Sequence, residues 1–200
     1  MELLVIRHGQ SEADVTNRHE GRADFPLTEL GREQAARLAD WVARTCTPDL
    51  IWSSPLQRAA ETARIIAART GAPLVFKDGL VEMDNGVLAG LPRDEARQKY
   101  PPPPGGRRYH ERIPGGESEL EFRARVESVF AELVYSVEPE RRVAVVAHGG
   151  TITMLFRAFL GLPLTSDVWL GTADTGVHLW RILPERRVVL LANSTAHLQG

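Results

Sequence analysis

Short apolar runs alternate along the chain with segments whose apolar residues recur at helical spacing. The predicted strands lie at residues 3–6, 49–52, 74–76, 143–147, 177–182 and 188–191. Apolar runs of this length, bounded by polar or turn-forming residues, are typical of buried strands. The unbroken run 143–147 fits a strand that is covered on both faces of a parallel sheet.

The predicted helices have recognisable start signals. Thr28 is a good N-cap for a helix that ends near residue 47. Ser54 is predicted to cap the next helix, because Pro55 then takes the favoured first position and Gln57 completes a capping box. Ser118 and Glu121 form a second capping box before a long apolar stripe. A further helix follows residues 148–150.

The order of these elements predicts an α/β fold. It reads β-α-β-α-β, an excursion, then α-β-α-β-β, which is typical of a three-layer α/β/α sandwich with a mostly parallel sheet and a late antiparallel strand. We interpret residues 1–200 as one domain. Residues 12–26 are expected to form a polar loop and 184–187 a hairpin loop. Residues 86–114, with a weak helix at 93–100 and a proline run at 101–104, are expected to form an inserted lid-like excursion.

Composition narrows the classes of function. The formal net charge of −2 does not favour nucleic-acid binding, so any anion site must be a local cluster. Cys46 is the single cysteine, which excludes an internal disulfide and a cysteine metal site. The chain has no apolar run of membrane-spanning length and no secretory leader after Met1, so we expect a cytoplasmic enzyme with no membrane partner. A homodimer is one interpretation of the apolar residues 168–170, which could form its interface.

Polar side chains follow three predicted strands. Arg7-His8-Gly9 and His148-Gly149-Gly150 come directly after two of them, and Arg58 lies in the first helical turn after another. Each motif alone is also consistent with an ordinary polar strand end. In open α/β sheets, however, ligands bind beyond the carboxyl ends of the strands, where helix N-termini also favour anions. Together these residues predict an anion site, to which Glu82 would add a carboxylate.

Several motifs carry a resemblance that covers nearly the whole chain. The sequence resembles the histidine phosphatase superfamily, in the branch related to phosphoglycerate mutase. The matching segments are residues 7–11, 26–31 with Gln34 and Ala35, 53–59 with 61–63, Glu82 with Gly86 and Gly90, 114–118, 147–150, and Asn193 with Thr195 and His197.

The resemblance implies a role for each candidate residue. His8 would be the nucleophile that becomes phosphorylated, and Glu82 would protonate the leaving oxygen. Arg7, Arg58 and His148 would hold the phosphoryl oxygens. The implied substrate-binding residues are Ser11, Asp14, Glu20, Gly21 and Gly149. No metal and no cofactor is expected, since phosphoryl transfer depends on positioning and charge stabilisation.

Two positions depart from the usual pattern of this family. Asp14 stands where Asn is common, and Glu20 where Gln or Thr is common. Ionised carboxylates cannot donate a hydrogen bond to phosphate, whereas the usual residues can. Either phosphate affinity is low, or the substrate carries donors or positive charge facing these residues. A third interpretation is that both carboxylates point to solvent or pair with Arg18 or Arg22.

Three functions remain open from the sequence. The favoured one is a metal-independent phosphomonoester hydrolase that acts on small phosphorylated metabolites through a phosphohistidine. The alternative is a phosphoglycerate mutase that uses a bisphosphoglycerate primer, although such enzymes usually have more sequence around the proton donor. The third is a non-catalytic module that binds phosphorylated ligands, which would not need both a nucleophile and an acid.

Overall fold

A six-stranded sheet forms the centre of the computed structural model, which describes residues 1–199. Its order is β3-β2-β4-β1-β5-β6. β1, β2, β3 and β4 are parallel, whereas β5 runs antiparallel to β1, and β6 antiparallel to β5. This confirms the predicted sheet. The strands are β1 (Glu2–Arg7), β2 (Leu50–Ser53), β3 (Leu74–Phe76), β4 (Arg142–Ala147), β5 (Val177–Leu183) and β6 (Arg186–Ser194).

Helices cover both faces of the sheet. They are α1 (Glu12–Val15), α2 (Glu29–Thr45), α3 (Gln57–Thr70), α4 (Arg93–Lys99), α5 (Glu119–Ser136) and α6 (Gly149–Leu160). α5 and α6 pack in one apolar cluster with Leu3 and Val5 of β1, and α2 and α3 pack in the other with Leu4 and Ile6. Successive strand residues point to opposite faces, so the four central residues of β1, Leu3 to Ile6, are all apolar because both faces of the strand are covered. The three-layer α/β/α prediction is confirmed.

The helix starts agree with the sequence at two of three predicted caps. The Thr28 hydroxyl accepts the Gly31 N–H, and Ser118 forms the expected capping box with Glu121. The prediction for Ser54 was wrong, because α3 begins at Gln57 with no side-chain cap.

The structure corrects the bounds of two predicted loops. Residues 12–15 were expected within a polar loop but form α1. Ser11 and Asp14 form a capping box at the start of this helix. A four-residue helix has no apolar periodicity from which to predict it. The hairpin between β5 and β6 is a two-residue turn at 184–185, shorter than the expected loop.

The excursion at 86–114 is attached to the domain by backbone hydrogen bonds. The Val87 N–H donates to the Pro114 carbonyl, which joins its two ends. His19 exchanges backbone hydrogen bonds with Gly90 and Leu91, and the Arg93 N–H donates to the Asn17 carbonyl. That this segment acts as a lid stays a prediction. No helix within residues 1–199 is both long and apolar enough to cross a membrane.

Candidate active site

The pairing of β1 with β4 brings the two predicted histidines together. Arg7 pairs with Ala147 in the parallel register, so His8 and His148 leave the sheet side by side. Their ring centroids are 5.1 Å apart, and both side chains are buried. The convergence predicted from three strand exits therefore exists at the carboxyl edge of the sheet.

The His8 ring is fixed by a contact that also defines its tautomer. Nδ1 lies 2.7 Å from the Gly9 carbonyl oxygen, which can only accept a hydrogen bond. Nδ1 therefore carries the proton, and Nε2 presents a lone pair. Burial, followed by the charges of Arg58 and Arg7, holds the pKa of His8 well below its usual value. The imidazole is therefore neutral at pH 7, as a nucleophile must be.

Gly9 is required by its close approach to α2. A Cβ atom at this position would lie 2.5 Å from the Gly31 carbonyl oxygen, a backbone atom that has no room to move aside. The Gly9 N–H donates to the Thr62 hydroxyl of α3. The turn after His8 is thus held by two helices on the same face of the sheet.

Arg58 is the buried cation next to His8. Its Nε lies 3.3 Å from His8 Nε2, and its Nη1 and Nη2 donate to the carbonyls of Ala23 and Gly21. The side chain is fully buried in the first turn of α3. Gly21, predicted to bind substrate, supports Arg58 through its backbone carbonyl.

Arg7 is held by three acceptors. Its Nη1 donates to the Thr172 carbonyl, while Nη2 lies 3.2 Å from Asp14 and 3.4 Å from Asp174. Its Nε is buried and has no hydrogen-bond partner among the described residues. An unpaired buried N–H is costly, so this donor suits an oxygen of a bound anion.

His148 uses the opposite ring nitrogen from His8. Its Nε2 lies 2.8 Å from the Ser54 hydroxyl, and that hydroxyl accepts the Leu56 N–H. Among the described residues, His148 Nε2 is the only acceptor within hydrogen-bond distance of the Ser54 O–H, so this hydroxyl donates to Nε2, which places the His148 proton on Nδ1. Within residues 1–199 this buried Nδ1 has no partner, so it is a second unpaired donor. Burial and the nearby cations hold the pKa of His148 well below its usual value.

Glu82 lies between the excursion and the start of α6. One carboxyl oxygen accepts the Met83 N–H at 2.7 Å, and the other accepts the Gly150 N–H at 2.8 Å. Burial raises the pKa of Glu82 despite these hydrogen bonds. A Cβ on Gly150 would lie 2.5 Å from a Glu82 oxygen, so glycine is needed there. Gly149 is the first residue of α6, and its binding to substrate stays a prediction.

The carboxylates at the two positions that depart from the family pattern, Asp14 and Glu20, contact the arginines of the site. Asp14 pairs with Arg7, and one Glu20 oxygen lies 3.2 Å from Arg58 Nε. The Ser11 hydroxyl, which carries a single proton, lies 2.8 Å from an Asp14 oxygen and 2.6 Å from a Glu20 oxygen. The expected alternative pairing with Arg18 or Arg22 was wrong, because Arg18 donates to the Gly90 carbonyl and Arg22 lies beside Asp84 and Glu117.

Sequence reasoning missed three residues that support the site. Ser54 contacts His148, Thr62 contacts the turn after His8, and Asp174 contacts Arg7. Burial raises the pKa of Asp174. The motif around Ser54 and Thr62 was noted, but it does not reveal these contacts, and Asp174 lies in a segment without apolar periodicity.

A cavity of about 280 Å³ opens beside Glu20 and Glu82. Its apolar wall consists of Met83, Phe122, Met154 and Trp169. Trp169, which was considered for a subunit interface, therefore lines this cavity; a homodimer stays a prediction. No group of three or more His, Cys, Asp or Glu side chains in the described part of the chain is arranged to hold a metal.

Comparisons with known proteins agree with this geometry. Phosphoserine phosphatase 1 of Hydrogenobacter thermophilus is 32% identical over 203 aligned positions. The alignment covers 99% of this chain and 94% of that protein. A probable phosphoglycerate mutase GpmB of Enterobacter sp. (strain 638) is 34% identical over 173 residues, covering 84% and 78% of the two chains. The solved mycobacterial glucosyl-3-phosphoglycerate phosphatase in complex with VO3 has a TM-score of 0.82 at 33% identity, with 96% and 98% covered.

A family model extends the similarity along nearly the whole chain. The model described as "Histidine phosphatase superfamily (branch 1)" matches residues 3–195. This range contains β4 and all of β1 after Glu2, together with His8, His148 and Glu82. The chain belongs to the histidine phosphatase superfamily.

Proposed function

We propose that this protein is a metal-independent phosphomonoester hydrolase that acts on small phosphorylated metabolites. The observation that carries the proposal is the state of His8: its Nε2 lone pair lies beside Arg58, while His148 Nδ1 and Arg7 Nε are unpaired donors in the same site. A lone pair next to several N–H donors suits attack on a phosphoryl group, whose negative oxygens those donors can hold.

The first chemical step would transfer the phosphoryl group to His8. Nε2 attacks phosphorus, the bond to the leaving oxygen breaks, and Arg7, Arg58 and His148 hold the three remaining oxygens. Glu82, whose pKa is raised by burial in favour of the protonated form, gives its proton to the leaving alkoxide. The products of this step are an alcohol, phosphohistidine and a Glu82 carboxylate.

The second step would return the enzyme to its starting state. The Glu82 carboxylate takes a proton from a water molecule as that water attacks the phosphohistidine. The N–P bond breaks, inorganic phosphate forms, and Glu82 is protonated again. One group thus serves as acid and then as base, so no further proton carrier is required.

The leaving group would occupy the cavity beside Glu82, which has both apolar and polar walls. A neighbouring cavity of about 270 Å³ shares His19 and Arg93 with it and is also lined by Arg97 and Arg107. Three guanidinium groups favour a leaving group that carries a further anionic group. Phosphoserine and glucosyl-3-phosphoglycerate, named for two relatives, both fit that description and are the first substrates to test.

Phosphoglycerate mutase activity is the second candidate function, favoured by the similarity to GpmB. It requires that phosphohistidine be passed to a second hydroxyl and not to water. A non-catalytic binding module is disfavoured, because simple binding needs neither a neutral His8 nor a Glu82 carboxyl with a raised pKa.

The deciding experiment is a panel of phosphorylated metabolites assayed for phosphate release, with and without EDTA. The panel includes 3-phosphoglycerate with and without a bisphosphoglycerate primer. We expect release of inorganic phosphate that EDTA leaves unchanged. Loss of activity on chelation would contradict metal independence, and primer-dependent isomerisation without release would identify a mutase.

A further inference from the structure

Glu20 places an anion next to the nucleophile. Its Oε1 accepts a hydrogen bond from the Ser11 hydroxyl at 2.6 Å and lies 3.2 Å from Arg58 Nε. Its Oε2 lies 3.8 Å from His8 Nε2. The side chain is only 14% exposed, so these contacts are poorly screened by solvent.

A phosphoryl group must use the same space and the same donors. Phosphorus that is poised for attack lies about 3–3.5 Å from the nucleophilic atom, so its oxygens lie in the shell around His8 Nε2 that Glu20 Oε2 also occupies. Arg58 Nε–H, which would bind one of those oxygens, already faces both His8 Nε2 and Glu20 Oε1. A carboxylate and a phosphate dianion repel each other strongly at this range.

Asp14 provides a contrast within the same site. Its Oδ2 accepts the Ser11 backbone N–H at 2.8 Å, as part of the capping box of α1. Its Oδ1 faces Arg7 Nη2. The carboxylate of Asp14 is therefore fixed by local backbone structure, whereas Glu20 is held among the described residues by side-chain contacts, which a bound anion can replace.

We propose that Glu20 sets the affinity of the site for phosphate by competing with the phosphoryl group for Arg58 and Ser11. The carboxylate occupies these donors until the substrate displaces it, and it returns to them when inorganic phosphate leaves. The enzyme therefore binds phosphate weakly and is little inhibited by this product. The inference rests on the proposed phosphatase function, but binding and hydrolysis can be measured separately.

The test compares Glu20→Gln, Glu20→Ala and Glu2→Gln with the unmodified protein, using inorganic phosphate as the probe in calorimetric titrations at constant pH and salt. We expect E20Q to bind phosphate at least tenfold more tightly, because the charge is lost and an amide donor is gained. E20A, which gains no donor, should bind at least threefold more tightly. E2Q is the matched control, because Glu2 is also a partly buried carboxylate paired with arginines but lies at the opposite end of β1 from Arg7; it should change the Kd by less than threefold.

Inhibition by product supplies a second measurement. In assays with an aryl phosphate, the inhibition constant for inorganic phosphate should fall in E20Q by the same factor as the Kd. If E20Q binds phosphate no more tightly than the unmodified protein, the proposal is overturned, and Glu20 only holds Arg58 in place. Failure of the unmodified protein to hydrolyse any phosphomonoester would instead contradict the proposed function, whatever the titrations give.

Discussion

His8 and His148 are the same residue type after neighbouring parallel strands, yet they present opposite ring nitrogens to the site. His8 commits Nδ1 to the Gly9 carbonyl and leaves a lone pair on Nε2. His148 commits Nε2 to the Ser54 hydroxyl and leaves Nδ1 unpaired. A carbonyl can only accept, whereas a hydroxyl can donate, so His8 Nε2 keeps the lone pair that the proposed attack requires and His148 Nδ1 keeps a proton to donate. The partner atom, and not the residue type, decides the role.

The largest expected effect comes from removing one histidine at a time. His8→Ala should lower kcat/KM for an aryl phosphate by about 10⁴-fold or more, because the nucleophile is lost. His148→Ala should lower it by only about 10²–10³-fold, because one donor to the phosphoryl oxygens is lost. Steady-state assays measure both effects. Quenching in alkaline denaturant should trap phosphohistidine in H148A but not in H8A, and equal losses in the two variants would contradict the assigned roles.

Glu82→Gln sharpens the comparison, because it removes the carboxyl proton that we propose is given to the leaving oxygen while His8 attacks phosphorus. We expect a loss of about 10²–10⁴-fold for alkyl phosphates, whose leaving oxygens need protonation. Aryl phosphates should lose much less in the phosphorylation step, since aryl oxides leave without a full proton transfer. The measurement is the ratio of single-turnover rates on paired alkyl and aryl substrates. An unchanged ratio would show that Glu82 is not the acid.

A smaller effect is expected when the partner of His148 is removed. In Ser54→Ala, Nε2 loses its hydroxyl donor, so the ring proton is free to move there and leave Nδ1 without a proton. We expect kcat to fall about tenfold with little change in KM, in line with the loss of part of one charge-stabilising contact. Ser53→Ala is the matched control, because Ser53 is also buried but its side-chain hydroxyl, among the described residues, bonds only to the Ser54 carbonyl. Equal effects in both variants would contradict the role of Ser54.

The smallest effect concerns a third buried histidine, His178, which has both nitrogens occupied. The Asn193 N–H donates to Nδ1, and Nε2 lies 3.0 Å from the Thr172 hydroxyl. Burial lowers the pKa of His178 to about 4. Between this value and the unfolded value of about 6.5, the unfolded chain binds the proton more tightly, so stability falls as the pH falls through this window.

From pH 7 to pH 5, His178 should lower the free energy of unfolding by about 2 kcal/mol. The measurement is urea unfolding at both pH values for the unmodified protein and for His178→Leu. His8 and His148 contribute in the same direction in both proteins, so the difference between the two pH dependences isolates His178. Equal pH dependence in the two proteins would contradict a neutral, buried His178.

Much of the fold was predictable because apolar periodicity reports burial directly. β1 and β4 read as apolar runs, and the residues after them could be expected to meet, since both strands end at one edge of the sheet. His8, Arg58 and His148 could therefore be identified from their positions after predicted strands. The family motifs contain the same three residues.

The rest of the site depends on contacts between residues far apart in the chain. Ser54 looked like a helix cap because local rules favour it there, but its hydroxyl is used by His148, 94 residues away. Asp174 contacts Arg7 from the segment just before β5, which has no regular apolar pattern. Glu20 was recognised as unusual, yet nothing in the sequence indicates that it lies against Arg58. Such partners are set by tertiary packing, which periodicity does not report.

The register between β1 and β4 has a consequence for how this architecture can diversify. Main-chain ladder bonds in the middle of the sheet, and not the intervening 140 or so residues, determine the spacing of the two imidazoles. Segments such as 86–114 can thus be lengthened, shortened or exchanged without moving the reacting atoms. New specificities can arise by grafting loops onto an unaltered catalytic frame, whereas an insertion of one residue within either strand would turn its terminal ring to the opposite layer.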